Sequence, residues 1–258
     1  MCLINFHLQD HPNYKLIVTA NRDEFYERPT RPAHFWEDEP NLLAGRDLIQ
    51  MGTWLGITKS GRVAALTNYR DPAQFGVVKE SRGEIIKNFL VKDTSPLDFI
   101  NELNEKKDYY NGFNIMIGNA EQLYYYNNIN EQIIEIPKGT HGISNHFLNT
   151  PWPKVIKGKM MLHEYVMNNR VLDTDELFYI LMNAELAEDA VLPKTGIDLE
   201  LERQLSPIFI RTPNYGTRCS TVLLIDNDNN VTFIERTYEL GLFKFENNYS
   251  FQITQQNI

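Results

Sequence analysis

The strongest constraint on this chain is its opening, Met1-Cys2-Leu3-Ile4-Asn5-Phe6, followed after a turn by Lys15-Leu16-Ile17-Val18-Thr19-Ala20-Asn21-Arg22-Asp23-Glu24. Both runs read as short strands, and a hairpin between them returns the polar cluster Asn21–Glu24 to the side of the chain start. A small residue after the initiator lets Met1 be trimmed, which would leave Cys2 with a free α-amine and a thiol on one residue. An α-amine has an ordinary pKa of about 7.7–8.0, close to the thiol's value of about 8.5. The amine can therefore act as base for its own side chain. An arginine in the cluster would favour the thiolate, and a carboxylate would hold an ammonium. Taken alone, Cys2 also fits a small apolar position in a buried first strand, and the cluster fits a solvated turn. The residues that follow, Phe25, Tyr26, Arg28 and Pro29, are aromatic and charged rather than turn-like, which marks a pocket wall.

Composition narrows the function classes. The chain has 258 residues, 42% of them hydrophobic, enough for a sizeable core in one domain over residues 1–258. A net charge of −9 speaks against a nucleic-acid partner. Arginines 22, 28, 31, 46, 62 and 70 still allow a local positive pocket. With only Cys2 and Cys219 there is no disulfide framework, so a reducing, cytoplasmic setting is expected. Polar residues Asn5, His7, Gln9 and Asp10 interrupt any secretory apolar segment, and no run reaches the ~20 apolar residues of a membrane span.

The elements follow in order. Pro29 to Pro40 reads as an aromatic-packed loop. Gly52–Thr58 and Arg62–Asn68 read as a hairpin. Ser81-Arg82-Gly83-Glu84 reads as a capping box with Ile85, Ile86, Phe89 and Leu90 as the stripe behind it. Ser95-Pro96 opens a second helix with Leu97, Ile100 and Leu103 buried. Phe113–Gly118, Gln122–Tyr126, Gln132–Ile136 and Gly139–Ser144 read as a strand meander. Pro153–Asn168 and Asp173–Asn183 read as helices. Ala187–Leu205 reads as an irregular surface loop. Ile208–Ile210, Ser220–Asp226 and Val231–Thr237 read as closing strands, before a frayed polar tail from Thr254. The six histidines show no ligand spacing, so no metal is expected. Asp226–Asn230 lacks the Gly and Glu of a calcium loop and reads as a turn. Tyr124-Tyr125-Tyr126 reads as strand, not as a cofactor platform.

Several blocks carry a family resemblance. Met1-Cys2, Thr19-Ala20-Asn21-Arg22-Asp23-Glu24-Phe25-Tyr26, Gly52-Thr53-Trp54-Leu55-Gly56-Ile57 and Ala65-Leu66-Thr67-Asn68-Tyr69 open the series. Tyr110-Asn111-Gly112-Phe113-Asn114, Gly142-Ile143-Ser144-Asn145, Thr150-Pro151-Trp152 and Tyr215-Gly216-Thr217-Arg218 complete it, in order along the chain. Together they resemble the Asn-Arg-Asp-Glu motif family of transport-and-Golgi-organisation type proteins. The resemblance implies an α+β fold similar to the N-terminal-nucleophile hydrolases, a four-layer αββα sandwich of two antiparallel sheets between helical layers.

A more distant comparison is the penicillin V acylase and bile-salt hydrolase group. There a Cys is followed by an Arg and Asp pair, then by oxyanion Asn residues, and later by another Arg. Cys2, Arg22 and Asp23, Asn68, Asn145 and Arg218 stand in a similar order here. Arg22 and Asp23 are adjacent, where that group spaces its pair by two residues. Neighbours on a strand face opposite ways, so only one would reach Cys2 unless a bulge or turn intervenes, and Glu24 would then take over the role of Asp23.

Two functions are therefore expected as alternatives, neither with a cofactor. The first is an amidohydrolase for a linear amide or related acyl bond. Cys2 is its nucleophile, Arg22 and Asp23 orient it, Asn68 and Asn145 stabilise the oxyanion, and Arg218 shapes the site. Asn21, Glu24, Phe25, Tyr26 and Trp54 would contact the small-molecule substrate. The second is a non-catalytic handler of haem or an acyl lipid, clasped by Phe25, Tyr26, Phe35 and Trp36 with Arg28.

Overall fold

Alternation along the first strands sets the layers. In the computed structural model, which describes residues 2–254 apart from 75 and 78, β1 (Cys2–Leu8) and β2 (Tyr14–Phe25) pair antiparallel, with Cys2 opposite Arg22 and Leu8 opposite Leu16. Ile4, Phe6, Leu8, Leu16, Val18 and Ala20 enter one apolar cluster, whereas Leu3 and Ile17 enter another. This is period-two alternation with both faces buried. Each fully buried large apolar side chain contributes about 1.5–3 kcal/mol. That burial pins the register, because a one-residue slip would exchange the two faces.

Eleven further strands complete two antiparallel sheets. They are β3 (Thr30–Phe35), β4 (Leu42–Asp47), β5 (Leu55–Thr58), β6 (Val63–Asn68), β7 (Phe113–Gly118), β8 (Leu123–Asn127), β9 (Ile133–Glu135), β10 (Gly139–Ile143), β11 (Tyr215–Asp226), β12 (Asn230–Glu239) and β13 (Leu242–Gln252). The first sheet runs β10-β1-β2-β11-β12-β13, and the second runs β3-β4-β5-β6-β7-β8-β9. Residues from the inner faces of both sheets, among them Phe6, Val18, Leu43, Ile57, Met116 and Phe233, form the layer between them. Helices α1 (Arg82–Val91) and α2 (Pro96–Glu105) cover the second sheet through Ile86, Phe89, Phe99 and Ile100. Helices α3 (Pro153–Asn168) and α4 (Thr174–Leu181) cover the first through Val155, Leu162, Leu177 and Phe178. The result is the four-layer αββα sandwich expected.

Several local expectations are corrected. Pro29–Pro40 contains β3, an edge strand whose register shifts between Arg31 and His34. An edge is where a strand tolerates proline. Ser81 is the residue before α1, but its side chain makes no capping bond. In α2 the buried face is Phe99, Ile100 and Leu103, and Leu97 is exposed. Ala187–Leu205 contains a 3-10 turn at Asp189–Val191 and helix α5 (Leu199–Gln204). Ile208–Ile210 is buried but bent, not a strand. Strand β13 was not foreseen, although Phe243, Phe245, Tyr249 and Phe251 fall on alternate positions along it. The tail from Gln255, like Met1, lies outside the described residues.

A buried polar network ties the two sheets together next to the chain start. Tyr125 Oη donates to Asn114 Oδ1 at 2.7 Å, and Asn114 Nδ2 donates to Thr67 Oγ1 at 3.0 Å. Thr67 Oγ1 donates in turn to the Ser144 carbonyl, and Ser144 Oγ donates to the Cys2 carbonyl at 3.0 Å. Such chains are rigid when every member is satisfied. This one fixes β6 and the end of β10 relative to Cys2.

Candidate active site

Cys2 begins an inner strand, and the pairing that buries β1 places its side chain on the inter-sheet face with that of Arg22. Both residues line a cleft of about 260 Å³ that also takes in Glu24, Arg28, Asp47, Trp54, Asn68 and Arg82. The Arg22 guanidinium lies over the Trp54 ring, 4.3 Å from its centroid, and 3.6 Å from Asp47 and 3.8 Å from Glu24. Burial pushes the Cys2 thiol above its ordinary pKa, and the Arg22 charge opposes that shift.

Asp47 anchors the cationic side of the cleft. Its Oδ2 accepts from Arg28 Nε, and its Oδ1 accepts from Arg28 Nη2 at 3.1 Å and from the Gln50 amide at 2.7 Å. Burial would raise its pKa, but the Arg28 and backbone hydrogen bonds outweigh this and hold the carboxyl below the usual range. Two close approaches seat the Trp54 wall. A Cβ on Gly45 would overlap the Trp54 ring, and one on Gly52 would overlap the Gly83 backbone at the start of α1. That packing brings Ser81, Arg82 and Gly83 to the cleft rim. Arg82 donates to the Gly112 carbonyl at 2.9 Å.

Arg22 and Asp23 do divide between faces. With Cys2 opposite Arg22, residue 23 falls one step beyond the start of β1, beside the Cys2 nitrogen. The Asp23 side chain is buried on the α3 side, where Thr217 Oγ1 donates to its Oδ1 at 2.8 Å. A register shift in β11 between Thr217 and Cys219 makes this possible. Burial raises the Asp23 pKa, and Lys154 on α3 is the strongest charge opposing that. Glu24 lines the cleft, but it faces Arg22 and Arg28 rather than taking the place of Asp23.

Other expected site residues are placed as follows. Asn68 lines the cleft at the end of β6. Asn145 is fully buried, and its Nδ2 donates to the Asn68 carbonyl at 2.9 Å, so its amide serves the β6 end and is not directed into the cleft. Arg218 does not line the cleft. Its Nη1 donates to the carbonyls of Phe25 and Arg28 and so holds the loop that carries Arg28. Asn21 faces the helical layer, donating to the Leu181 and Ile208 carbonyls and accepting from Ser220. Phe25 is exposed against Tyr215, and Tyr26 packs on Gly216. The aromatic clasp is not assembled, because Phe35 packs on Tyr249 and Phe251 while Trp36 lies in the layer under α1. Asp47, Arg82 and Lys154 were missed. Asp47 and Arg82 stand among other charged residues and Lys154 follows the proline that opens α3, so nothing in the sequence sets them apart.

Cys219 also stands opposite Arg22, on the far side of β2 from Cys2. Two strand spacings of about 4.7–4.9 Å each separate the two cysteines, too far for a disulfide. Among the described residues no group of His, Cys, Asp and Glu is arranged to hold a metal ion, and no helix is long and apolar enough to cross a membrane.

Comparison with known proteins agrees with this fold. Over 99–100% of its length the chain superposes on two variants of the conjugated bile acid hydrolase from Clostridium perfringens, with TM-scores of 0.52 and 0.54. At 11% and 10% identity that likeness is one of fold, and the fold is that of the N-terminal-nucleophile hydrolases. The chain is 37% identical to the Transport and Golgi organization protein 2 homologs of Bos taurus and Homo sapiens, covering 92% of this chain and 93% of each relative. It is 29% identical to the Drosophila melanogaster protein, covering 92% of both. A family model, Transport and Golgi organisation 2, matches residues 1–240, and the chain belongs to that family.

Proposed function

We propose that this protein is an amino-terminal-cysteine amidohydrolase acting on a linear amide or related acyl bond. The observation that carries the reading is the position of Cys2. It is the first residue of an inner strand, its side chain faces the cleft beside Arg22, and its nitrogen lies beside buried Asp23.

After removal of Met1, the Cys2 α-amine takes the thiol proton and Sγ bonds to the substrate carbonyl carbon. The carbonyl oxygen becomes the oxyanion, for which the Asn68 side chain is one donor in the cleft. Asn145 holds Asn68 in place and is not itself the donor. The ammonium returns its proton to the departing amine as the C–N bond breaks. Water then hydrolyses the thioester and frees Sγ. Arg22 stabilises the thiolate, Asp23 orients the amine, and Arg218 fixes the loop bearing Arg28.

A cleft of about 260 Å³ lies below the ~300–1,000 Å³ usual for drug-sized ligands, which favours short linear substrates. The fold shared with a protein named as a conjugated bile acid hydrolase fits a hydrolase reading. The haem or acyl-lipid reading has no comparable observation, since its aromatic clasp is not formed.

The test has two parts. Intact mass of protein purified from its own host is expected to show loss of Met1. A panel of N-acyl amides, graded by acyl length, is expected to give turnover that Cys2→Ala abolishes. Retention of Met1, or turnover unchanged in the variant, would end the reading.

A further inference from the structure

Four cationic side chains line the cleft beside Cys2, namely Arg22, Arg28, Lys79 and Arg82. Neighbours account for the first three. Arg22 and Arg28 both lie within ion-pair distance of Asp47 and Glu24. Exposed Lys79 donates to the Asp108 and Tyr110 carbonyls at 2.9 and 3.3 Å, at the rim beside exposed Glu80. Half-buried Arg82 is different. Among the described residues it joins no ion pair, and its one hydrogen bond runs from Nη1 to the Gly112 carbonyl at 2.9 Å.

That bond holds the guanidinium in place without using it up. The Gly112 carbonyl is itself fixed, because it also accepts from the Tyr69 amide at 2.9 Å. On the helix side, the Thr53 amide donates to the Gly83 carbonyl at 3.1 Å, which ties the start of α1 to the Trp54 wall. A guanidinium carries five N–H donors in a planar fork and stays charged throughout the physiological pH range. The rest of the Arg82 fork has no partner among the described residues. A charge drawn partly out of water with no counter-ion is costly. A carboxylate that reaches it makes the charge-assisted, bidentate contact for which the fork is shaped.

We propose that Arg82 anchors a carboxylate on the substrate, so that the amide cut at Cys2 belongs to a short linear molecule with an anionic end. The proposal deepens the amidohydrolase reading and rests on it for the bond that breaks. Arg82 and Cys2 line the same cleft, and about 260 Å³ holds only a short molecule. One end of such a molecule lies on Arg82 when its amide is at Cys2. Because the Gly112 bond fixes Arg82 beforehand, the contact requires little ordering of the protein. The carboxylate can stand on the acyl side of the amide or on its amine side, and matched probes separate the two.

The test measures binding and needs no turnover. Full-length protein beginning at residue 2, verified by intact mass and carrying Cys2→Ala, is titrated by calorimetry with two pairs of probes. N-butanoylglycine and N-butanoylglycinamide place or remove the charge on the amine side. N-propylsuccinamic acid and N-propylsuccinamide do the same on the acyl side. At least one acid is expected to bind about tenfold to a hundredfold tighter than its amide, and Arg82→Gln is expected to bring that ratio close to unity. Equal binding of acid and amide in both pairs, no binding of any probe, or a ratio that survives Arg82→Gln would overturn the proposal. If the Gln variant does not fold, Arg82→Lys decides alone. Lysine keeps the charge but loses the fork, so the ratio should fall, and an unchanged ratio would overturn the proposal. An Arg82-dependent ratio in a protein whose Cys2 form cleaves no amide would sink the hydrolase reading and leave Arg82 an anion site. Cleavage of uncharged amides with no Arg82-dependent ratio would do the reverse.

Discussion

Asp47, like Glu24, lies within ion-pair distance of both Arg22 and Arg28 and is the one hydrogen-bonded to Arg28, so Asp47→Asn tests the electrostatics of the cleft with little change of shape. Asparagine can still accept from the Gln50 and Ile49 amides, but it has no charge for Arg28 or Arg22. The paired hydrogen bonds from Arg28 are charge-assisted, a kind worth roughly 1.5–3 kcal/mol when buried. Asp47 is 11% exposed and Arg28 31% exposed, so solvent screening leaves about 2 kcal/mol for the pair. Arg22, at 3.6 Å, adds at most a few tenths of a kcal/mol at that separation.

The sign with pH follows from the depressed carboxyl. The stabilisation is present above the unfolded pKa of about 3.9 and is lost as pH falls through the lower folded value. Urea denaturation of wild type and Asp47→Asn is expected to show a gap of about 2 kcal/mol at pH 7, with equal slopes. The melting temperature should fall by about 4–8 °C, and the gap should shrink at pH 3. A gap of the same size at both pH values would refute the electrostatic account and assign the loss to packing.

Two further perturbations probe the frame. Gly45→Ala drives a methyl into the Trp54 ring, so a loss of about 1–3 kcal/mol is expected together with altered tryptophan fluorescence; wild-type emission and stability would show that the ring is not held there. Arg70→Met strands the Glu202 carboxylate, almost fully buried, at a cost of about 3–5 kcal/mol, and adding Glu202→Leu should restore most of it. Equal losses in the single and double variants would argue that the ion pair itself, not the stranded charge, carries the energy.

Much of the fold was legible because its signals are local. The β1–β2 hairpin, the β7–β8 meander and the 153–168 helix each carry a period that only one element satisfies. The errors fell where local chemistry and tertiary demand disagree. Pro32 sits in a strand because that strand is an edge. Acidic Glu202 is buried because Arg70 meets it from far away in sequence. Ser81 leaves its capping bond unmade where α1 meets the cleft rim. Among site residues, Cys2, Arg22, Asp23, Glu24, Trp54 and Asn68 line the cleft, although the Asp23 side chain is buried on the α3 side against Thr217. Asn145, Arg218 and Asn21 instead support the residues around it, because their amides and guanidinium are spent on backbone carbonyls.

By itself, the sequence determined that Cys2 begins a buried strand and that its partner strand brings a charged cluster back to it. Alternation and pairing need only neighbouring residues and a turn. Which side of the strand each charge occupies, which carboxylate meets which cation, and why Lys154 lies buried on α3 were decided only by the tertiary structure. Those facts depend on register, on a shift in β11 and on a helix more than a hundred residues away. Charges in a low-dielectric interior act through distance and burial, and neither is written along the chain.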